Sequence, residues 1–288
     1  MFEISNYLRE KQSIVDRALK DCLPPTTTRP ALLHEAMHYC VLNGGKRIRP
    51  ILCMAAAAPF SIAPEKVLLP ALALELFHCS TLIHDDLPCM DDDDLRRGLP
   101  TCHIKFGEAN AVLTGDALLV HAFQLLAEHG NPKLSLELAL AAGSRGVIAG
   151  QVEDLEAEGK KPDADLVEFI HLNKTAVLIR AAVRMGAIAA GAEEDDLENL
   201  TVFGEKIGLA FQIEDDILDE TSTNEVLGKP AGADQKLSKM TYPAVYGMDA
   251  AKEKAETLTR GALAALDLMR RDTVELRAIA DFLVRRKF

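Results

Sequence analysis

Apolar residues recur three and four positions apart through nearly every segment of this chain, and alternating runs of β-branched residues are almost absent. That period builds one face of a helix and leaves no pleated face for a strand, so the expected fold is all-α. Helices are expected over 2–20, 31–42, 47–58, 64–86, 104–128, 133–157, 163–190, 194–219 and 250–286, the last broken near Gly261 or Asp272. Proline- and glycine-bearing stretches punctuate them: PPTTTRP at 24–30, GLP at 98–100, GNP at 130–132, and TSTNEVLGKPAGADQKLSK at 221–239. None reads as a domain linker, and no repeat of fixed period occurs. The expectation is therefore one domain over residues 1–288, a single bundle of roughly ten or more helices around a central hydrophobic tunnel. The stretch at 221–239 is long, polar and carries Lys229, Lys236 and Lys239, which suits a functional flap better than a connector.

Composition excludes several roles. A net charge of −12 leaves no broad basic field for nucleic acid or an anionic membrane, so any anion must meet a local basic patch. The N-terminal stretch MFEISNYLREKQSIVDRALKD has no apolar core of signal-peptide length. The run ILCMAAAAPFSIAP is short and broken by Pro59 and Pro64, so it is not expected to insert in a bilayer. The six cysteines include no C-x-x-C pair and are expected to be reduced thiols in a cytoplasmic protein.

Two acidic stretches stand out. LIHDDLPCMDDDDLRRGLP at 82–100 packs six aspartates between Asp85 and Asp94 and follows them with Arg96 and Arg97. Pro88 disfavours helical geometry at Leu87, so the helix should end near Asp86 and the loop should return Asp91 toward Asp85. In FQIEDDILDE at 211–220, Asp215 and Asp219 lie four apart on one helix face, beside Asp216. A solvated acidic face is the plain reading of either stretch alone, and an EF-hand is excluded because its sixth and twelfth positions would fall on Asp91 and Arg97. If the two helices face each other, their hard oxygens form a half-cage suited to Mg²⁺, with open positions for a diphosphate.

Cations answer the carboxylates. In VLNGGKRIRP at 41–50, Gly44 and Gly45 interrupt a helix, and Lys46, Arg47 and Arg49 crowd its restart; backbone N–H groups and cations there would suit a phosphate, although a solvated helix start reads the same way. His78 precedes Asp85 by two helical turns and could share its face. Lys174 lies in an otherwise apolar helix beside Thr175, where it either snorkels to the surface or meets an anionic partner. Gln212, three residues before Asp215, shares that carboxylate face.

GGKRIRP, DDLPCMDDDDLRRG, GQVEDLEAEGK, NKTAVLIRAA and FQIEDDILD, in this order, resemble the trans-isoprenyl diphosphate synthases, the farnesyl and geranylgeranyl diphosphate synthase family, over most of the chain. The resemblance implies condensation of isopentenyl diphosphate with dimethylallyl, geranyl or farnesyl diphosphate, and a homodimer. It also implies Mg²⁺, three ions with substrate bound, held by Asp85, Asp86 and Asp91 of one motif and Asp215, Asp216 and Asp219 of the other. Lys46, Arg49, His78 and Arg97 would hold isopentenyl diphosphate. Arg96, Lys174, Lys229 and Lys239 would hold the allylic diphosphate, Thr175 and Gln212 would face the allylic cation, and Gln151 and Asp154 would support the site from behind. Relatives with the same two-residue insertion that stop at fifteen carbons typically carry an aromatic five positions before Asp85, where this chain has Ser80 followed by Thr81. Phe77 lies about 4.5 Å deeper along the helix, close to one isoprene unit, so the expected product is twenty carbons or a fifteen/twenty mixture. The competing readings are a class I terpene cyclase, which needs no second diphosphate pocket, and a non-catalytic subunit of a heteromeric synthase, which would be expected to lack intact carboxylates.

Overall fold

Among the described residues the three-to-four-residue period is realised as helices, with one short hairpin between them. A computed structural model describes residues 2–221 and 239–284. The helices are α1 (Ile4–Cys22), α2 (Ala31–Leu42), α3 (Ile48–Ala57), α4 (Glu65–Asp85), α5 (Cys102–Phe106), α6 (Glu108–His129), α7 (Pro132–Ala142), α8 (Val147–Ala157), α9 (Ala164–Ile170), α10 (Val177–Ala189), α11 (Glu194–Thr221), α12 (Tyr242–Tyr246), α13 (Met248–Asp267) and α14 (Val274–Val284). A π-helical turn, His171–Ala176, joins α9 to α10. Strands β1 (Leu95–Arg96) and β2 (Leu99–Pro100) pair antiparallel.

The core is built on α4 and α10. Along α4 Leu72, Leu74, Leu76 and Phe77 are buried, and along α10 so are Leu178, Ile179, Val183 and Met185. Helix α4 packs mainly on α6 and α3, and α10 lies between α3, α7 and α11. A helix apolar all round belongs at the centre of a bundle, because no side of it gains from water. By length and composition alone α4 and α6 could each cross a membrane, but most of α4 is buried inside this bundle.

Several expected helices are divided, each for a local reason. The segment 133–157 breaks at Gly143–Gly146, where a Cβ at Gly146 would overlap the Ala141 carbonyl. The segment 104–128 breaks at Gly107, which takes a φ of 87°. The last segment breaks around Asp272 and not at Gly261; the bare backbone of Gly261 is covered by the aliphatic stem of Lys206. The hairpin had no counterpart in the expected pattern. Its two central residues, Arg97 and Gly98, have φ of 53° and 77°, the paired positive φ that a type I′ turn requires.

Arg47 ties the first four helices together. It is buried, and its guanidinium donates to Asp16 of α1 (2.7 Å), Glu75 of α4 (2.7 Å) and the Val41 carbonyl of α2 (2.7 Å). Glu75 is 2% exposed, and Arg47 is the cation paired with it. Arg47→Ala should cost about 3–5 kcal/mol of stability, because it strands a buried carboxylate; urea unfolding of the two proteins measures the difference.

Candidate active site

The first acidic motif folds as its proline requires. Helix α4 ends at Asp85, and the Asp91 amide donates to the Asp85 carbonyl (2.9 Å), so the loop closes on itself and returns Asp91 to the helix end. Burial pushes the Asp85 carboxyl up to about 6; Lys174 pulls it down, and Asp91 adds to the rise. Desolvation beside a second carboxylate disfavours the charged form, which is the condition a bound cation relieves.

Asp86 is buried and accepts Arg96 Nε on both oxygens, at 2.7 and 2.9 Å. The hairpin turns Arg96 inward for this contact, while Arg97 donates to the Gly44 carbonyl. Gly45, with φ of 124°, has no Cβ because that atom would collide with the Arg97 guanidinium.

Behind the motif lies an alternating row of charges. Lys174 Nζ donates to Asp154 Oδ2 (2.7 Å). Lys239 Nζ donates to the same oxygen (2.9 Å), to Asp91 Oδ1 (3.0 Å) and to Glu158 Oε1 (2.8 Å). Burial would raise the Asp154 carboxyl, but Lys174 and Lys239 overcome it and hold the group below its usual range. The two lysines are thus placed from different parts of the chain by one buried carboxylate.

The second motif is reached through the π-helical turn. Thr175 Oγ1 donates to Gln212 Oε1 (2.6 Å), and Gln212 Nε2 donates to Asp216 Oδ1 (2.9 Å). Asp216 Oδ2 accepts the Tyr242 amide (2.7 Å) and lies 3.1 Å from His171 Nε2. Asp216 and Asp219 are buried, and Asp215 is half-buried. A wide π turn changes which side chains share a face, so Lys174 and Thr175 reach different partners on α8 and α11. It also lies against both helices: a Cβ on Gly150 would overlap Lys174 N, and one on Gly208 would crowd Ala176 Cα.

The basic cluster assembles around Arg49 and His78. Arg49 Nη1 lies 3.2 Å from His78 Nε2. Burial, then Arg49, Arg97 and Arg96, push the His78 imidazole well below its ordinary range. It is neutral near pH 7, and since Arg49 can only donate, Nε2 accepts. Arg49 is also near enough to Asp215 to feel its charge. Lys46 is exposed beside it. Arg47, which the sequence placed in this cluster, points into the helix core instead.

A profile of the polyprenyl synthetase family matches residues 30–270. The chain is 47% identical over 283 residues to a farnesyl diphosphate synthase of Escherichia coli strain K12, covering 94% of this chain and 95% of that one. It is 45% identical over 272 residues to the chloroplastic geranylgeranyl pyrophosphate synthase 11 of Arabidopsis thaliana, covering 91% of this chain and 76% of that one. A crystal structure of an FPP/GFPP synthase from Zymomonas mobilis superposes with a TM-score of 0.86 at 35% identity, covering 98% of each chain. This chain belongs to the polyprenyl synthetase family. It is a prenyltransferase, a short-chain prenyl diphosphate synthase of the farnesyl/geranylgeranyl type, in a family that uses Mg²⁺ and isoprenoid diphosphates.

Within this synthase the expected residues gather as follows. Asp85, Asp91, Lys174, Lys239 and Asp154 form one network, and Thr175, Gln212 and Asp216 form another. The Gln151 amide nitrogen is buried on α8. Lys229 lies outside the described residues. Two of the expected aspartates also hold neighbouring side chains: Asp86 accepts Arg96, and Asp216 accepts Gln212 and the Tyr242 amide and lies beside His171. His171, Glu158 and Tyr242 were not foreseen; a histidine three residues before Lys174 was the one available signal. Asp154→Asn should lower turnover about 10- to 100-fold by releasing both lysines, the usual cost of losing a residue that orients ligands; steady-state prenyl transfer measures it.

Proposed function

We propose that this synthase holds its allylic diphosphate between the two aspartate motifs and isopentenyl diphosphate at the basic cluster of α3, α4 and the hairpin. The observation that carries the reading is the pair of short chains joining the motifs. Asp91 reaches Lys239, three residues from Tyr242, which holds Asp216; Asp85 feels Lys174, whose neighbour Thr175 holds Gln212.

Mg²⁺ fits the donor set. The oxygens are hard, burial raises Asp85, and the Asp91–Asp154–Glu158 group already draws one ammonium to within 3.0 Å of three carboxylates. Asp85, Asp86 and Asp91 of one motif and Asp215, Asp216 and Asp219 of the other would hold the metal, three ions with substrate bound. Asp86 and Asp216 aim Arg96 and Gln212. Bound there, Mg²⁺ supplies Lewis-acid charge to a leaving diphosphate.

The chain's own groups do the rest. Lys174, Lys239, Arg96 and Lys229 bind the allylic diphosphate and take up charge as its C–O bond ionises. Thr175 Oγ1 has its proton directed at Gln212, which leaves oxygen lone pairs to face the allylic cation. Lys46, Arg49, His78 and Arg97 orient isopentenyl diphosphate for attack by its double bond. The proton then lost passes to the departed diphosphate, so the chain needs no dedicated base.

Two finer features belong to the same reading. Phe77 is buried on α4 one turn below Thr81, and Ser80 Oγ is turned to the Phe77 carbonyl (2.7 Å), so Phe77 is the bulky group that sets a product of twenty carbons or a fifteen/twenty mixture. Val112, Leu113 and Val120 of α6 and Leu136 and Leu140 of α7 are exposed apolar residues, which supports a homodimer.

Asp85→Asn and Asp215→Asn should each lower turnover about 10²- to 10³-fold with the fold intact by circular dichroism; wild-type rates in either variant would refute the metal assignment. Mass spectra of the product should shift to longer chains in Phe77→Ala, and an unchanged length would remove Phe77 from the tunnel floor. Sedimentation should report a dimer for the wild type and a monomer for Val120→Asp.

A further inference from the structure

The first residue of the π-helical turn, His171, is buried beside Asp216, and the chemistry above gives it no task. Its Nε2 lies 3.1 Å from Asp216 Oδ2, and its ring stacks on Tyr242, with centroids 6.0 Å apart and planes at 25°. The backbone amide of that tyrosine donates to the same oxygen (2.7 Å). A carboxylate only accepts, so the nitrogen this close to it carries the proton. His171 Nδ1 is buried with no hydrogen-bond partner among the described residues. An unpaired buried nitrogen costs free energy, and a ring needed only for packing would do better without it. What the imidazole gains in return is its contact with Asp216.

Four residues close a ring. His171 and Thr175 stand four apart on the π-helical turn, and Gln212 and Asp216 stand four apart on α11. Thr175 Oγ1 donates to Gln212 Oε1 (2.6 Å), Gln212 Nε2 donates to Asp216 Oδ1 (2.9 Å), and His171 Nε2 ties Asp216 Oδ2 back to the turn. An amide has one accepting and one donating end, so a fixed carboxylate fixes which way Gln212 faces, and Gln212 fixes the Thr175 hydroxyl.

We propose that His171 is a positioning residue for prenyl transfer. By holding Asp216 Oδ2 it sets the plane in which this carboxylate meets Mg²⁺, and through Gln212 it keeps the Thr175 proton turned away from the allylic cation. The proposal rests on the metal assignment made above. Without the imidazole each Asp216 oxygen keeps a single donor from the ring and Tyr242, and the direct tie from the carboxylate to the turn that carries Thr175 is lost.

The test compares His171→Phe, which keeps a ring against Tyr242 and removes the N–H, with His171→Gln, which has no ring and offers an amide N–H in place of Nε2. Binding of inorganic pyrophosphate over a series of Mg²⁺ concentrations, followed by calorimetry without turnover, is the first readout. His171→Phe should need about 10- to 100-fold more Mg²⁺, the usual cost of losing a group that orients a metal ligand. His171→Gln should recover most of the loss. In steady-state prenyl transfer His171→Phe should lose kcat while the KM for isopentenyl diphosphate stays near that of the wild type. A phenylalanine variant that binds like the wild type, or a glutamine variant no better than the phenylalanine one, overturns the proposal. Asp216→Asn separates the two readings: an unchanged Mg²⁺ requirement there defeats the metal assignment itself, whereas a raised one beside a wild-type-like His171→Phe removes His171 alone. In the wild type labelled with nitrogen-15 histidine, the His171 Nε2 proton resonance should shift when Mg²⁺ and pyrophosphate are added. A resonance that stays in place overturns the proposal even where neither variant folds.

Discussion

Carboxylates that share a desolvated cleft repel one another, and this fold meets that constraint with two lysines held by one buried aspartate. Asp154 takes Lys174 at 2.7 Å and Lys239 at 2.9 Å, and Lys239 carries the link on to Asp91. Inside protein such pairs offset the cost of burial only when their geometry and further hydrogen bonds are good. Here Lys239 has three carboxylate partners. The same surplus of negative charge that would destabilise an idle protein gives the cleft its demand for cations.

Backbone proximity makes the arrangement possible. Lys174 and Thr175 lie in a π-helical turn pressed against Gly150 and Gly208, positions where any side chain would overlap the turn. The close approach lets Lys174 reach α8 while Thr175 reaches α11. Gly150 and Asp154 are one helical turn apart, so the glycine admits the turn and the aspartate receives its lysine.

Adjacent residues of one type divide their work by direction. Arg47 is spent on Asp16, Glu75 and Val41 and holds the bundle, whereas Arg49 turns to His78. Arg96, the last residue of β1, and Arg97, the first central residue of the type I′ turn, reach Asp86 and Gly44 respectively. Asp85 and Asp86 separate in the same way at the end of α4. Consecutive residues on a helix point about 100° apart, so neighbours in sequence meet different neighbours in space.

The helical class, the break near Asp272, and the return of Asp91 to Asp85 were legible in the sequence, because spacing and proline act within a few residues. The residue types of the site were legible for the same reason: hard oxygens and cations announce metal and phosphate wherever they stand. The π turn and the inward Arg47 were not. Each depends on what another helix brings within about 3–4 Å, and no local period records that distance. The sequence by itself determined a helical chain carrying two carboxylate motifs and the cations to answer them; the tertiary structure decided which carboxylate each cation holds, because those partners meet only when the helices pack.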